Sequence, residues 1–133
     1  MESPDRIEIK LPFKAEYVSV ARLTASGIAS RIGFDIETVE DIKVAVSEVC
    51  SRIISAADGA EGYYAILFDM LKDELAITFT SDIEKTRCIF DDEEDVLGMS
   101  IINAFMDKVE YCPGGNYILS MAKTYEGNSV NGL

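Results

Sequence analysis

Val39-Glu40-Asp41-Ile42-Lys43-Val44-Ala45-Val46-Ser47-Glu48-Val49-Cys50-Ser51-Arg52-Ile53 sets Val39, Ile42, Val46, Val49 and Ile53 at successive spacings of 3, 4, 3 and 4. Those intervals keep all five side chains within one apolar stripe of a 3.6-residue period, which predicts a helix with one core-facing side. At about 100° per residue, Asp41, Glu48, Arg52 and Ser55 fall together on roughly the opposite face. Gly59 and Gly62 are expected to end the helix.

Upstream, Ile7, Ile9, Leu11 and Phe13 alternate with Glu8, Lys10 and Pro12. The pattern predicts a half-buried strand, with Pro12 marking an edge or a strand end. Ala15 to Ile32 reads as a helix stopped by Gly33. Downstream, Tyr63 to Leu71 and Glu74 to Ser81 predict a hairpin turning at Lys72-Asp73, in which Leu75, Ile77 and Phe79 alternate with Ala76, Thr78 and Thr80. The acidic run Asp91-Asp92-Glu93-Glu94-Asp95 leads into a third helix carrying Leu97, Ile101, Ile102, Phe105 and Met106. A last hairpin turns at Pro113-Gly114-Gly115-Asn116, and its second strand runs through Tyr117, Leu119 and Met121. The order β-α-α-β-β-α-β-β predicts an α+β fold, a two-layer sandwich of three helices on one face of a mixed, mostly antiparallel sheet. We expect a single domain over residues 1–125 and a loose tail over residues 126–133.

A chain of 133 residues has room for one domain. It buries about 68% of its unfolded surface without staples. Its 24 acidic side chains against 12 basic ones give a net charge of −12. That field repels nucleic acid and anionic membranes and would attract a basic protein, although solubility alone would also explain it. Met1-Glu2-Ser3-Pro4-Asp5-Arg6 has neither the basic start nor the apolar run of a signal peptide, and no window approaches the ~18 apolar residues of a membrane span. A cytoplasmic protein is expected. Cys50, Cys88 and Cys112 have neither zinc-site nor disulfide-framework spacing, so reduced and mostly buried thiols are expected. With no histidine in the chain, Ser-His and Cys-His catalysis are excluded.

Glu48 and Arg52 stand four apart with the glutamate first, placed for an ion pair worth a few tenths of a kcal/mol. Their surroundings carry more. Arg22-Leu23-Thr24-Ala25-Ser26-Gly27-Ile28-Ala29-Ser30-Arg31-Ile32-Gly33, followed by Glu40-Asp41-Ile42-Lys43-Val44-Ala45-Val46-Ser47-Glu48-Val49-Cys50, closely resembles the bacterial anti-sigma-factor serine/threonine kinases. These belong to the histidine-kinase-like ATPase (GHKL) superfamily and control sigma factors by partner switching. The resemblance is strong over residues 7–56, specific in the first two helices, and extends more weakly to Lys123.

Members of that family hold ATP with three boxes. In the first, Glu-x-x-x-Asn, the resemblance implies that Glu48 is the general base, but Arg52 replaces the Mg²⁺-binding Asn. Arginine is donor-only and permanently cationic, so it cannot ligate a cation that demands oxygen. In the second, Asp-x-Gly, Ser81 stands at the Asp position and Ile83 at the Gly position; a slip by one puts Asp82 at the first but Glu84 at the second. In the third, a Gly-rich loop opening the third helix, Gly98 is kept. The preceding lid is short and acidic over residues 91–95, where polyphosphate would bind; the same carboxylates also suit a helix N-terminus.

The resemblance therefore implies a regulator that binds a sigma factor or an anti-anti-sigma protein, with a relict Glu48 and degenerate nucleotide positions Arg52, Ser81, Ile83 and Gly98. No cofactor is expected; ATP and Mg²⁺ enter only under the alternative of an active serine/threonine kinase. A structural subunit pairing with an active homologue is a third reading. Arg22 matches an arginine on the sigma-contacting face of the first helix, against the plainer reading of an exposed residue paired with Glu16 or Asp41. A homodimer is implied, with the strand Ile7 to Phe13 a candidate interface because unpaired edges find partners.

Overall fold

The structure, a computed structural model, describes residues 4–82, 86, 89, 96–111 and 117–126. Ile83, the acidic run 91–95, Cys88, Cys112, the turn at 113–116 and all of the tail beyond Glu126 lie outside the described residues.

Strand β1 (Asp5–Pro12) leads through a single 3-10 turn (Ala15–Tyr17) into α1 (Val18–Ile32) and α2 (Ile36–Ala57). Strands β2 (Tyr63–Met70) and β3 (Glu74–Ser81), helix α3 (Val96–Phe105), and strands β4 (Lys108–Tyr111) and β5 (Leu119–Thr124) complete the order. The five strands form one sheet ordered β1-β2-β3-β5-β4. Each of its four pairings is antiparallel, so the expected mixed character is absent from the described strands.

Every member of the α2 stripe is buried: Ile42, Val46, Val49 and Ile53 at 0% exposure and Val39 at 7%. Asp35 caps the helix by accepting a 2.8 Å bond from the Thr38 amide. The Thr38 side chain and amide both stabilise the charged form, and they lower the Asp35 carboxyl below its ordinary value. At the other end Asp58 takes the left-handed conformation (φ 49°), followed by Gly59 and Gly62, both with positive φ. The helices cover one face of the sheet, and Leu11, Tyr64, Ile66, Phe68, Leu75, Ile77, Phe79, Leu119 and Met121 meet them from below. Because strands alternate faces, the same register sends Glu8, Lys10, Ala65, Leu67, Thr78 and Ser120 to the uncovered side.

Two expectations change and a third holds. The first helix begins as a 3-10 turn and becomes α-helical only at Val18. In α3 the buried line is Gly98, Ile102 and Met106, four apart, so Leu97 sits about 100° off that line and is 71% exposed. On β1, Leu11 is buried in the core with Phe13 just beyond the strand. Ile9 is half-buried and Ile7 stays 41% exposed on the same side, so β1 is the half-buried strand its alternation predicts, with a free backbone edge.

Gly33 closes α1 with φ 115°, its amide donating to Ala29 O at 3.2 Å. A Cβ there would come within 2.7 Å of the Tyr125 hydroxyl, so β5's end packs directly on this turn. Tyr125 also meets Phe34 edge-on with centroids 5.4 Å apart.

Candidate functional site

Helix α2 presents Glu48 and Arg52 one turn apart on its outward side. Arg52 Nε donates to Glu48 Oε2 at 2.9 Å, with side-chain exposures of 39% and 22%. The pair is half-buried, and its energy stays within the few tenths of a kcal/mol of a helix i,i+4 pair. Its chemical effect is larger than its energy. The carboxylate that would accept a hydroxyl proton already accepts a charged N–H. The position that would offer an oxygen to a divalent cation offers only donors. Glu48 and Arg52 therefore do not fit a magnesium-nucleotide group of the Glu-x-x-x-Asn kind.

Arg22 reaches across from α1, but neither Glu16 nor Asp41 is its partner. Its Nη1 donates to Ser47 Oγ at 3.4 Å, a long and weak bond. The antiparallel packing of α1 on α2 brings residues 22 and 47 together. The outcome is an open groove of about 400 Å³ lined by Arg22, Glu40, Lys43, Val44, Ser47, Glu48 and Ser51. Lys43 is tied to Glu40 at 3.0 Å along its wall. Arg22 and Glu48, singled out on separate grounds, thus share one groove. Sequence reasoning missed Glu40, Lys43, Ser47 and Ser51, although their spacing along α2 is the 3–4 ladder that marks a common helix face.

The other candidates lie elsewhere. Ser81 ends β3 and lines a second cavity of about 490 Å³ at the sheet end, with Glu8, Lys10, Tyr63, Thr80 and Asp82. Gly98 is buried in the first turn of α3, which packs against α2. Ile83 is outside the described residues.

Beneath α2 lies a buried pair that sequence reasoning did not single out. Cys50 is fully buried, and burial pushes its thiol up to about 11. The Tyr64 hydroxyl is buried with no hydrogen-bonding partner among the described residues. Burial, and then Cys50, raise it well above its ordinary value.

Three helices on an antiparallel sheet, with a glutamate carried outward on the second helix, are consistent with the histidine-kinase-like class of ATPase folds. The family model described as a histidine kinase-like ATPase domain matches residues 11–123, and the chain belongs to that family. Within it, the chain is similar to the serine-protein kinase RsbW of Halalkalibacterium halodurans, 33% identical over 146 positions that cover 98% of this chain and 90% of the relative. It is 32% identical to the serine-protein kinase RsbW of Bacillus cereus strain Q1 (98% and 91% covered). It is 34% identical to that of Bacillus pumilus (92% and 87% covered). Since 146 aligned positions exceed the 133 residues of the chain, the first relative carries residues with no counterpart here. Among the described residues no helix is long and apolar enough to cross a membrane.

Proposed function

We propose that this protein is an anti-sigma-type regulator of a partner-switching system. It binds a sigma factor or an anti-anti-sigma protein in the cytoplasm, with ATP binding and serine kinase activity lost. The observation that carries the proposal is the 2.9 Å bond from Arg52 to Glu48: a fixed cation occupies the position that the Glu-x-x-x-Asn pattern would give to a metal ligand. The acidic run 91–95 and Ile83 in the sequence support it. Likeness to the serine-protein kinases named RsbW supports the regulatory class. A homodimer goes with it, the free edge of β1 being the candidate contact.

The alternative is an active serine/threonine kinase using ATP and Mg²⁺. It is favoured by one observation: Glu48 is retained and lines the same groove as Arg22, where a partner's hydroxyl would arrive. The two readings separate in one experiment. The tagged protein is purified from its own host without nucleotide, beside an active relative. We expect a sigma or anti-anti-sigma protein to come with it. Recovery of neither, where the relative recovers them, would end the proposal; phosphorylation of the partner by this chain on adding ATP would establish the alternative.

A further inference from the structure

Helix α3, Val96–Phe105, carries no charged residue, in a chain where 27% of residues are charged. Its neighbour α2 divides in the ordinary way, with Glu40, Lys43 and Glu48 outward and an apolar stripe inward. On α3 the inward side is Gly98 and Ile102, with Met106 just beyond the helix, and Met99 and Phe105 are partly buried against the core. Stepping about 100° per residue sets Leu97, Ser100, Ile101 and Ala104 together on roughly the opposite side. Leu97 is 71% exposed, Ser100 and Ala104 are exposed, and Ile101 is half-buried. Asn103 turns its amide back onto the helix, donating to Met99 O at 2.8 Å.

A helix apolar on every side belongs in an interior. This one packs on α2 along one flank and leaves Leu97, Ile101 and Ala104 without a cover. One exposed leucine is ordinary on a soluble protein; a whole helix face without a charge marks a contact surface.

We propose that the outward face of α3, built on Leu97, Ile101 and Ala104, docks a basic helical segment of the protein partner through that segment's apolar side. The size of the face excludes a second copy of this chain as sole occupant. Ten residues span about 15 Å, and a helix face about 10 Å wide then offers roughly 150 Å². A stable interface takes about 800 Å² from each partner. The face therefore fits one segment of a protein that is also held elsewhere. The groove on α2 supplies the other hold, since α2 and α3 pack side by side with axes about 8–10 Å apart. Charge complementarity makes the segment basic. The chain carries −12, and Asp91-Asp92-Glu93-Glu94-Asp95 leads directly into Val96 in sequence. Connectivity alone keeps those five backbones within about 19 Å of Val96, so they set the sign of the field a docking segment meets. The inference rests on the partner-binding role proposed above and adds a contact surface in which α1 takes no part.

The test titrates each purified sigma factor and anti-anti-sigma protein of the host against the wild type, Leu97→Ser, Leu97→Lys and Leu97→Glu. Thermal unfolding and sedimentation are followed in parallel. Because Leu97 is exposed, all three variants should melt at the wild-type temperature. Leu97→Ser should weaken the complex at least tenfold. Leu97→Lys should weaken it more than Leu97→Glu, with the gap closing as salt rises. If the wild type binds none of the proteins, the partner-binding role falls and this inference with it. If the wild type binds and Leu97→Ser binds equally well, only the α3 face is overturned. A greater loss in Leu97→Glu than in Leu97→Lys would overturn the basic occupant. A wild-type oligomer that Leu97→Ser dissociates would give the face to a second copy and overturn the proposal.

Discussion

The two sides of α2 differ sharply in burial. Inward, Val39, Ile42, Val46, Val49 and Ile53 are no more than 7% exposed. Outward, Glu40, Lys43, Val44, Ser47, Glu48 and Ser51 surround an open groove, with Arg52 bonded to Glu48. The inward side fixes the fold by apolar burial, which tolerates little change. On the outward side each interaction is weak, so identities there are free to serve binding. Substitutions should separate accordingly: stability follows the inner side, partner affinity the outer.

The largest effect is expected at Ile53, which is fully buried. Ile53→Ala should lose about 2–5 kcal/mol of stability in urea unfolding, from lost transfer energy plus the cavity. A loss below about 1 kcal/mol would contradict its place in the core. Arg22→Ala should leave stability within about 0.5 kcal/mol. It should cost about 2–5 kcal/mol of partner affinity, mostly in the off-rate, if its contact is desolvated. An unchanged dissociation rate would remove Arg22 from the interface.

Tyr64→Phe tests the inner side in the other direction. Among the described residues its buried hydroxyl has only the Cys50 thiol beside it, a weak hydrogen-bonding group, so its removal should change stability by no more than about 1 kcal/mol. A clear loss would reveal a bond to the hydroxyl. The neighbouring thiol adds a pH signature. Because burial raises Cys50 to about 11 in the folded protein from an ordinary value of 9.0, its contribution is complete below that value. It is lost as pH climbs toward 11, since the unfolded chain releases the proton first. Unfolding free energy should therefore fall over that range.

The fold was legible where periodicity was long. The α2 stripe, the β2–β3 hairpin at Lys72-Asp73 and the element order could all be read from residue spacing. The phase of α3 could not, because Leu97 is as apolar as its neighbours and only packing against α2 shows that Gly98 lies inside. Nor could the placing of β5 between β3 and β4, since strand order is a tertiary outcome. Within the site, the Glu48–Arg52 pair is local and was visible at four residues' spacing. The Arg22–Ser47 contact spans 25 residues and two helices, so nothing local announced it.

The smallest stability effect is expected at Arg52. Arg52→Asn should cost only a few tenths of a kcal/mol, the scale of an i,i+4 ion pair. That makes it a clean background for calorimetric titration of Mg-ATP into the wild type and the variant. We expect no binding heat in the wild type, and none restored by Arg52→Asn, because Ile83 and the acidic run 91–95 still oppose a nucleotide. Micromolar affinity of the wild type for Mg-ATP would contradict the loss of the nucleotide site.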